Sequence, residues 1–580
     1  MKPNYTERKS IYFYFLVIIY VKIMPNKRKN IGIIIHRTDE SMCQNLLNSL
    51  ADVMVPDGYE VIVTVLDNSS SKAASYNEGM QQINGEIKLY IDESAIIVNK
   101  NILKDIVRFF ETNPEDKMLG LFGSEMPING DYSESQNCYG IYGYTHNGEN
   151  INLNLGKKAI WKQNVACIDS MFVATSSDIE WDDAVGEEFL IAAQCCRFRE
   201  KHYGISVPMQ DMPWCAYYKK SSYSEQSKDF EKARLDFFDK YKNIIQPLVS
   251  ILITTYNQPV FFKEALESAL HQDYYNIEIV IGDDSTNTDT KNLMREYIRK
   301  YPQIKYYYHN GPLGGQGLEN AKFVLNHSNG SFINYLFHDD LFYPQKISTM
   351  MKYMVRDFNE QIGMISSARN LIDENGVVQG QINPWQPIDN EVLNGMEMAE
   401  KILYSSQNYI GELTTVLLRK KLLKQNNGEY LMGCFNGVRD KANGDVATWL
   451  DVARQGKNCL FLKDVLSCFR RHSGQNTYNV TIIVNSIIDW LNYITIFGWL
   501  DIHKKNTEEL SYYYDRWYLV HKKNISYVCK FIKSEKMEIQ DKVRFCIKVL
   551  KLIERREYQK VRELSQKYIR LNYENLSIGE

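Results

Sequence analysis

The stretch VSILITTYN, residues 249–257, is a short apolar run that ends in small polar residues. Such a run predicts a buried strand that leads into a loop, with Thr254 at the end of the strand. A helical pattern follows at 261–271, and then a second apolar run, IEIVIGDDS at 277–285, which ends in two aspartates. Strand, helix and strand in this order predict a βαβ unit at the start of an α/β domain.

A second acidic pair ends another apolar run, in the stretch FINYLFHDD at residues 332–340. The carboxyl ends of strands form the crevice in which α/β sheets bind ligands, so we expect a site there. Two neighbouring acids without a basic residue repel each other unless a cation or a proton intervenes, and a hard divalent ion fits best. For each acidic pair taken alone, an ordinary turn is the alternative: a solvated turn before Pro344, and an Asx turn at 283–284.

The same order of elements occurs earlier in the chain, with a strand at 31–35, a helix at 41–51, a strand at 59–66 and an acidic turn at 67–70. The sequence therefore predicts two copies of one plan. Between the copies, residues 223–246 are charged and carry apolar residues at helical spacing, which predicts a linker helix. From 481 to 580 the strand signals cease, and the mildly basic sequence predicts an all-helical region whose charged face is solvated, with a membrane surface or a partner as the alternative.

Composition bounds the function classes. A chain of 580 residues is too long for one core, and 44% hydrophobic with 24% charged residues is typical of globular domains. A net charge of −3 gives no reason to expect nucleic acid. The eleven cysteines form no CxxC pair and no zinc-spaced cluster, and we expect free, buried thiols at 195–196 and a reducing cytoplasm.

The first 29 residues form an apolar and basic leader. Its apolar part, residues 11–21, is too short to span a bilayer, and no small-residue cleavage site follows it. We expect either translation from Met24 or a peripheral membrane anchor, rather than secretion.

Taken together, VSILITTYN, the DDS that follows IEIVIG, and FHDD resemble the motifs of family 2 glycosyltransferases of the GT-A fold. The resemblance covers about residues 247–477 and extends to matching segments at 320–322, 329–331, 410–412, 416–419 and 468–474. It implies an α/β chain with two GT-A-like, Rossmann-like mixed-sheet domains in tandem. The expected boundaries are a degenerate domain at 30–222, the linker at 223–246, a catalytic domain at 247–480 and the helical region at 481–580.

The resemblance also implies the donor site. The residues it assigns to the nucleotide are Thr254, Tyr256, Asn257, Asp283, Asp284 and Asp339. Asp284 is expected to hydrogen-bond a uracil-type base, Asp340 to bind Mn²⁺ or Mg²⁺, and Asp339 to contact the ribose or the water shell of the metal. Phe337 stands where most relatives have the first acid of this motif, which puts the ribose contacts in doubt. His338 is expected to be a spacer, and His472 either reaches the diphosphate or metal or is structural.

The expected general base is Asp445, in the stretch NGDVATWL at 443–450, which resembles the ED-x-x-x-W segment of the family with Gly444 in place of the first acid. An ordinary helix cap is the alternative for Asp445. One carboxylate base without a second carboxylate as nucleophile implies single displacement with inversion. The implied reaction moves a hexosyl or N-acetylhexosaminyl group from a nucleotide donor, UDP above all, to a surface-glycan or protein-linked glycan acceptor.

The first copy resembles glycosyltransferase-like domains of the same superfamily, but residues of other types stand at the expected positions of the metal-binding acid and the base. The metal acid falls at Ser94 in the stretch IDES, residues 91–94, although a shift of register brings Asp92 or Glu93 into its place. Leu190 and Ile191 stand at the place of the base, and neither accepts a proton. We therefore expect a degenerate domain. Two alternatives stay open: a bifunctional enzyme that uses both copies, and a non-catalytic glycan- or nucleotide-sugar-binding protein. Peripheral membrane contact and self-association also stay open.

Overall fold

A computed structural model gives the fold, and the chain divides into two compact units between Ile245 and Gln246. The structure describes residues 28–67, 71–124, 138–145, 151–157, 159, 161–218, 228–357, 360–385, 387, 389–439, 441–473, 479–498 and 506–573. The predicted leader, residues 1–29, and the alternative start of translation at Met24 lie outside the described residues, apart from residues 28 and 29.

The first unit contains strands and helices in alternation. Its strands are β1 (Lys29–Arg37), β2 (Tyr59–Asp67), β3 (Ile87–Asp92), β4 (Ala95–Ile97), β5 (Asp116–Gly120), β6 (Phe122–Ser124), β7 (Cys138–Thr145), β8 (Ile151–Leu155), β9 (Lys162–Asn164), β10 (Cys167–Ile168), β11 (Phe172–Thr175), β12 (Gly204–Pro208) and β13 (Cys215–Tyr218). Its helices are α1 (Glu40–Ala51), α2 (Lys72–Gln82), α3 (Ile102–Thr112), α4 (Leu190–Glu200) and α5 (Lys228–Ile245).

The second unit begins with the predicted βαβ pattern and ends in helices. Its strands are β14 (Val249–Thr255), β15 (Ile277–Asp283), β16 (Ile304–Tyr308), β17 (Phe332–Phe337), β18 (Leu341–Phe342), β19 (Ile362–Ile372), β20 (Val378–Ile382), β21 (Glu391–Leu393), β22 (Leu417–Arg419), β23 (Cys434–Phe435), β24 (Val438–Arg439) and β25 (Asn458–Arg470). Its helices are α6 (Pro259–Leu270), α7 (Asp289–Lys300), α8 (Leu318–Asn326), α9 (Lys346–Met354), α10 (Gly395–Ser405), α11 (Gly444–Arg454), α12 (Val480–Phe497), α13 (Thr507–Val528), α14 (Met537–Glu554) and α15 (Tyr558–Asn572).

The main sheet of the second unit is mixed. Its strands lie in the order β16, β15, β14, β17, β22, β19, β25, β18, with β20 beside β19 and β21 beside β25. The first four are parallel, β22 is antiparallel to both of its neighbours, and β19 and β25 are parallel to each other. Parallel strands connected by helices place their carboxyl ends together, and the loops that follow them form one crevice.

The main sheet of the first unit repeats this plan. Its order is β2, β1, β3, β11, β5, β12, β9, and the first six strands match β15, β14, β17, β22, β19 and β25 in order and in direction. Among its described residues there is no counterpart of β16. A smaller sheet contains β10, β6, β7, β13 and β4, with β8 beside β7. The predicted fold class, two mixed-sheet α/β units in tandem followed by helices, is confirmed.

The helices of the second unit hold the carboxyl ends of its strands in place. α6 begins two residues earlier than predicted because Pro259, with its fixed φ and missing N–H, suits the first turn of a helix. α8 packs on β14 and β15, and Asn320 donates its side-chain N–H to the carbonyl of Gly282 at 2.9 Å. A Cβ atom at Gly282 would lie 1.9 Å from the side chain of Asn320, so only glycine permits this approach.

The predicted linker helix exists as α5, but it packs within the first unit. Phe237 stacks on Phe189 with ring centroids 5.0 Å apart, and the hydroxyl of Tyr241 hydrogen-bonds the carboxylate of Asp182. Its apolar residues therefore complete the core of the first unit, which explains their helical spacing between two domains.

The C-terminal region is helical, as predicted. By length and composition α12 is the one helix among the described residues that is able to cross a membrane, with a mean hydropathy of 1.5, yet 72% of it is buried in the fold. It packs against α13, α14 and α15 and shares one core with α11. α12 is therefore a core helix of the second unit, and the region is an integral part of that unit.

Candidate active site

The predicted site residues of the second unit come together at the carboxyl ends of three parallel strands. Thr255 of β14 lies opposite Asp283 of β15, and Thr254 lies opposite Phe337 of β17. The loops after these strands therefore start side by side, which places the two acidic pairs at the same crevice. The ring of His338 hydrogen-bonds the backbone of Thr254 and so ties two of these strand ends together.

Asp284 offers an unsatisfied acceptor in this crevice. The residue is only 4% exposed, and its Oδ1 atom has no hydrogen-bond partner among the described residues. Burial raises the pKa of the Asp284 carboxyl, while a hydrogen bond from the backbone N–H of Leu313 lowers it. His309, directly after β16, has a buried Nε2 atom that also lacks a partner among the described residues. Buried polar atoms without partners are rare in folded proteins and often mark a ligand site.

Other predicted nucleotide residues are occupied within the fold. Asp283 is fully buried and accepts hydrogen bonds from the backbone N–H of Ser285 at 2.9 Å and the hydroxyl of Tyr306 at 2.6 Å. Asn257 has a left-handed backbone, with φ at 52°, and its side chain hydrogen-bonds the backbone N–H and the hydroxyl of Thr286. Both residues therefore shape the loops of the crevice.

Thr254 and Tyr256, by contrast, remain open to a ligand. Thr254 is partly exposed at the end of β14, and Tyr256 is exposed in the loop that follows.

The two acids of FHDD have different surroundings. Asp340 is 1% exposed, its Oδ2 atom accepts from the hydroxyl of Thr414 at 2.6 Å, and its Oδ1 atom accepts from the backbone N–H of Arg470 at 3.0 Å. The side chain of Asp339 is 17% exposed, and its Oδ2 atom lies 3.1 Å from Nε2 of His472. The predicted roles, with Asp340 as the metal ligand and Asp339 at the ribose, stay a prediction. In this geometry both carboxylate oxygens of Asp340 accept from protein donors, whereas the carboxylate of Asp339 lies beside His472.

Arg470 fixes the backbone that carries these acids. Its fully buried guanidinium donates to the carbonyl of Asp339 at 2.8 Å and to the carbonyl of Glu374 at 3.0 Å, and it also pairs with Glu264. An arginine presents its donors in a rigid planar fork, which suits this clamping role. The geometry of FHDD thus depends on a residue to which the sequence had assigned no role.

Asp339 and His472 fit a divalent ion that is bound together with a diphosphate. Among the described residues no group of three or more His, Cys, Asp and Glu side chains is able to hold a metal by itself. Mg²⁺ and Mn²⁺ need only one or two protein ligands when phosphate oxygens and waters supply the others. One carboxylate oxygen with one imidazole nitrogen favours Mn²⁺ over Mg²⁺, because imidazole is a softer ligand than oxygen.

Asp445 lies in the first turn of α11, where the α11 backbone and a neighbouring loop orient it. Its Oδ1 atom accepts from the backbone N–H of Val446 and its Oδ2 atom accepts from the side chain of Asn408, both at 2.7 Å. Burial raises the pKa of Asp445 to about 6, against the lowering effect of the Val446 N–H and with a further contribution from the negative charge of Glu412. A carboxylate with a pKa near the working pH suits a general base.

One segment, residues 408–415, connects this base to the acidic pair. The side chain of Asn408 accepts from the backbone N–H of Gly411 at 3.0 Å and holds Asp445, while Thr414 holds Asp340. Glu412 lies between them and is paired with Arg369. Residues 410–412 match a family segment in the sequence, but the sequence assigns them no role. This segment positions side chains that are distant in the chain, and the sequence alone does not reveal such contacts.

The comparisons with known families agree with this site. Residues 250–370 match the model described as "Glycosyl transferase family 2", and residues 32–241 match "Glycosyltransferase like family". Together the two matches cover more than half of the chain. The chain belongs to glycosyltransferase family 2. The match at 32–241 also agrees with the repeated strand order of the two units.

Curated relatives of this chain match over shorter stretches. A Rickettsia felis glycosyltransferase is 37% identical over 162 residues, which are 27% of this chain and 25% of that protein. The Campylobacter jejuni enzyme named GalNAc(5)-diNAcBac-PP-undecaprenol beta-1,3-glucosyltransferase is 30% identical over 110 residues, which are 18% of this chain and 34% of that enzyme. The matches span between 21% and 46% of the first five of these relatives.

Solved structures resemble the chain at low sequence identity. S. aureus TarS 1-349 in complex with UDP is 15% identical with a TM-score of 0.37, covering 57% of this chain and 94% of that one. A mannosyltransferase from Pyrobaculum calidifontis, in complex with GDP-Man and Mn²⁺, is 12% identical with a TM-score of 0.32, covering 57% and 88%. Since both TM-scores are below 0.5, the fold assignment depends on the strand order and the family matches.

In the first unit the ammonium of Lys72 pairs with an acid of the motif that resembles FHDD. Asp92, at the end of β3, pairs with the ammonium of Lys72 at 2.7 Å and accepts from the hydroxyl of Ser94 at 2.6 Å. Burial by itself would raise the pKa of Asp92, but Lys72 and Ser94 outweigh it and hold that pKa below its usual value. Glu93 is also engaged, because it accepts from the backbone N–H groups of Thr38 and Asp39.

The place of the base in the first unit is apolar. Leu190 and Ile191 are buried at the start of α4, as predicted, and the neighbouring Glu188 is exposed. With both motif acids engaged by protein donors and no carboxylate at the place of the base, the geometry agrees with the predicted degenerate domain.

The side chain of Trp385 packs against neighbouring side chains of the second unit. The ammonium of Lys401 lies 3.8 Å from the centre of its ring, Tyr409 meets it edge-on at 6.2 Å, and its indole N–H donates to Glu391. These contacts engage both the ring and the N–H of Trp385 within the fold.

Proposed function

We propose that the second unit transfers a sugar from a UDP-linked donor to a hydroxyl group of a glycan acceptor, with Mn²⁺ as the cofactor and with inversion at the anomeric carbon. The observation that carries this proposal is a set of three carboxylates with different surroundings, two of them after the strands on either side of β14 and the third connected to FHDD through residues 408–415. Asp284 has a free buried oxygen, Asp339 is open beside His472, and Asp445 has a pKa near 6. Glycosyl transfer from a nucleotide donor needs a group that binds the base, a group that holds the metal at the diphosphate, and a general base.

The preference for uracil follows from the state of Asp284. A backbone N–H already bonds this carboxylate, and one of its oxygens remains without a partner among the described residues. Uracil presents one N–H donor between two carbonyl groups, which matches a single free acceptor. Guanine presents two adjacent donors that pair best with both oxygens of a carboxylate.

Asp339 and His472 are the residues that would hold the metal at the diphosphate. When bound, a divalent ion neutralises charge on the departing diphosphate and so stabilises the transition state. The protein contributes a fixed backbone, because Arg470 and Thr414 hold the FHDD segment from two sides.

Asp445 would take the proton from the acceptor hydroxyl as that oxygen attacks the anomeric carbon. The bond to the diphosphate breaks on the opposite face of the sugar, and the configuration inverts in this single displacement. Asn408 and the N–H of Val446 keep the carboxylate oriented before the acceptor arrives. The glycan acceptor class is supported by the name of the Campylobacter jejuni relative, whose acceptor is a glycan linked to undecaprenol diphosphate.

Nucleotide binding tests the donor assignment. In calorimetric titrations of the full chain with Mn²⁺, UDP should bind more tightly than GDP, and Asp284→Ala should weaken UDP binding about 10- to 100-fold, the effect of losing a buried hydrogen bond to a ligand. Asp289→Ala, which removes an acid in the first turn of α7, is the control. Equal affinity for UDP in both variants would contradict the assignment of Asp284.

The pH dependence of turnover follows from the raised pKa of Asp445. A base works only when it is deprotonated, so kcat/KM should be constant above pH 7 and should fall about tenfold for each pH unit well below 6. A steady-state pH profile with a fixed donor and acceptor measures this, with circular dichroism at each pH as the control for folding. An activity that is still full at pH 4.5 would contradict a base of this pKa.

The first unit should not contribute to turnover. Glu93→Gln and Asp92→Asn should keep kcat and KM at wild-type values. Asp92→Asn should also reduce the free energy of unfolding by about 1–3 kcal/mol, because it leaves the ammonium of Lys72 without its ion partner. Turnover and thermal melting of the two variants check this, and a large loss of kcat in either one would support a bifunctional enzyme instead.

A further inference from the structure

The helix that carries the proposed base lacks a cap of its own. Asn443 occupies the N-cap position of α11, but its side chain makes no capping hydrogen bond. It is turned towards α12 instead, where it donates to the carbonyl of Ser486 at 3.1 Å and accepts from the hydroxyl of Ser486 at 2.9 Å. Uncapped helix starts leave backbone N–H groups unsatisfied and fray more easily.

Asp489 of α12 hydrogen-bonds the backbone just before this helix. One oxygen, Oδ2, accepts from the backbone N–H groups of Lys441, Ala442 and Asn443 at 3.2, 2.8 and 3.3 Å. The hydroxyl of Tyr493, one turn further along α12, donates to the carbonyl of Asn443 at 3.2 Å. Three side chains of the C-terminal region, those of Ser486, Asp489 and Tyr493, therefore hold the three residues that precede Gly444.

Packing alone does not require an acid at this place. Asp489 is 1% exposed in the most apolar helix of the described chain, and burying a carboxylate is unfavourable unless its oxygens are satisfied. Three N–H donors to one oxygen, with the ammonium of Lys441 nearby, offset part of that cost, although burial still raises the pKa of Asp489 to about 7. The acid in this apolar helix has a directional role, because a carboxylate fixes the positions of its hydrogen-bond donors and an apolar side chain does not.

We propose that Asp489 is a positioning residue for glycosyl transfer and that the C-terminal helices set the orientation of the Asp445 carboxylate through it. Asp489 holds residues 441–443, these residues fix where α11 begins, and Asp445 lies in the first turn of α11. This inference rests on the proposed function, since it needs Asp445 to be the base. The helical region thereby has a part in the reaction. The sequence does not reveal this part, because the region is distant from the motifs along the chain.

The test compares Asp489→Ala, Asp489→Asn and the control Thr495→Val in the full chain. Thr495 is buried in the same helix, where it donates to the carbonyl of Leu491 at 2.8 Å, and it also interacts with Tyr514 of α13. Asp489→Ala should lower kcat about 10- to 100-fold, the effect of misplacing a catalytic group by about 1 Å, with the donor KM little changed. It should also shift the acidic limb of the pH profile and speed amide hydrogen exchange at 441–446.

Asp489→Asn keeps one acceptor oxygen and should restore most of the lost kcat, and Thr495→Val should match the wild type. Should Asp489→Ala not fold, Ser486→Ala combined with Tyr493→Phe removes the two hydroxyl bonds from α12 to Asn443 and tests the hold of α12 on the start of α11, with a smaller loss of kcat. Unchanged kcat and pH profile in a folded Asp489→Ala, with Asp445→Asn inactive, would overturn the positioning role alone. An active Asp445→Asn would overturn the proposed function and this inference with it.

Discussion

Asp445→Asn is expected to lower kcat by about 10²- to 10⁴-fold, the typical contribution of a general base, while nucleotide affinity stays near the wild-type value. An asparagine has the same size and keeps one oxygen for the hydrogen bonds that Val446 and Asn408 now donate. It is unable to accept a proton from the acceptor. The loss should therefore appear in kcat, with little change in the donor KM.

The control for this variant is Asp464→Asn, which removes an exposed carboxylate from β25. Both variants should melt at the wild-type temperature within a few degrees, and only Asp445→Asn should lose turnover. If Asp445→Asn kept more than a tenth of wild-type kcat, Asp445 would be an ordinary residue of the helix start, the alternative that its position in α11 also permits.

The second large effect should separate the two acids of FHDD. Asp339→Ala is expected to abolish the effect of Mn²⁺ on nucleotide affinity and to lower kcat/KM about 10²- to 10³-fold, as the loss of charge stabilisation at a leaving group does. Its melting temperature should hardly change, because the side chain of Asp339 is partly exposed and its carboxylate bonds the side chain of His472.

Asp340→Ala should behave in the opposite way. It leaves the hydroxyl of Thr414 and the N–H of Arg470 without their buried acceptor, which should reduce the free energy of unfolding by about 1–3 kcal/mol for each group. Where the variant is folded, Mn²⁺ should still strengthen nucleotide binding. A folded Asp340→Ala that no longer responds to Mn²⁺, beside an Asp339→Ala that does, would restore the assignment made from the sequence.

The sequence predicted the fold well because its signals were local. Apolar runs that end in small polar or acidic residues mark β14, β15 and β17, and a similar order of elements in the first copy marks β1 and β2. The boundaries moved by one to three residues, as at Pro259, where the chemistry of one residue set the start of α6. The packing of α5 into the first unit was not predictable, because an apolar stripe on a helix does not tell which domain it covers.

The sequence predicted which acids belong to the site, but it did not predict the hydrogen-bond partners of each acid. Motif spacing identified Asp284, Asp339, Asp340 and Asp445 as its acids. It did not identify which acid of FHDD accepts from protein donors at both oxygens, because that depends on the hydrogen bonds from Thr414 and Arg470, which are distant in sequence.

The supporting residues stayed hidden for a related reason. Asn408, His309 and Asp489 belong to no motif, and each acts on a residue from another part of the chain. Contacts of this kind become visible only when the fold brings the segments together.

The most direct test of the central claim is the release of UDP from UDP-sugars by the full chain with a glycan acceptor, measured with Mn²⁺ and with EDTA. The account predicts release that depends on Mn²⁺, that is lost in Asp339→Ala and Asp445→Asn, and that is unchanged in Asp92→Asn and Glu93→Gln. Release that continues in EDTA, or that depends on Asp92 and Glu93 while surviving Asp445→Asn, would contradict it.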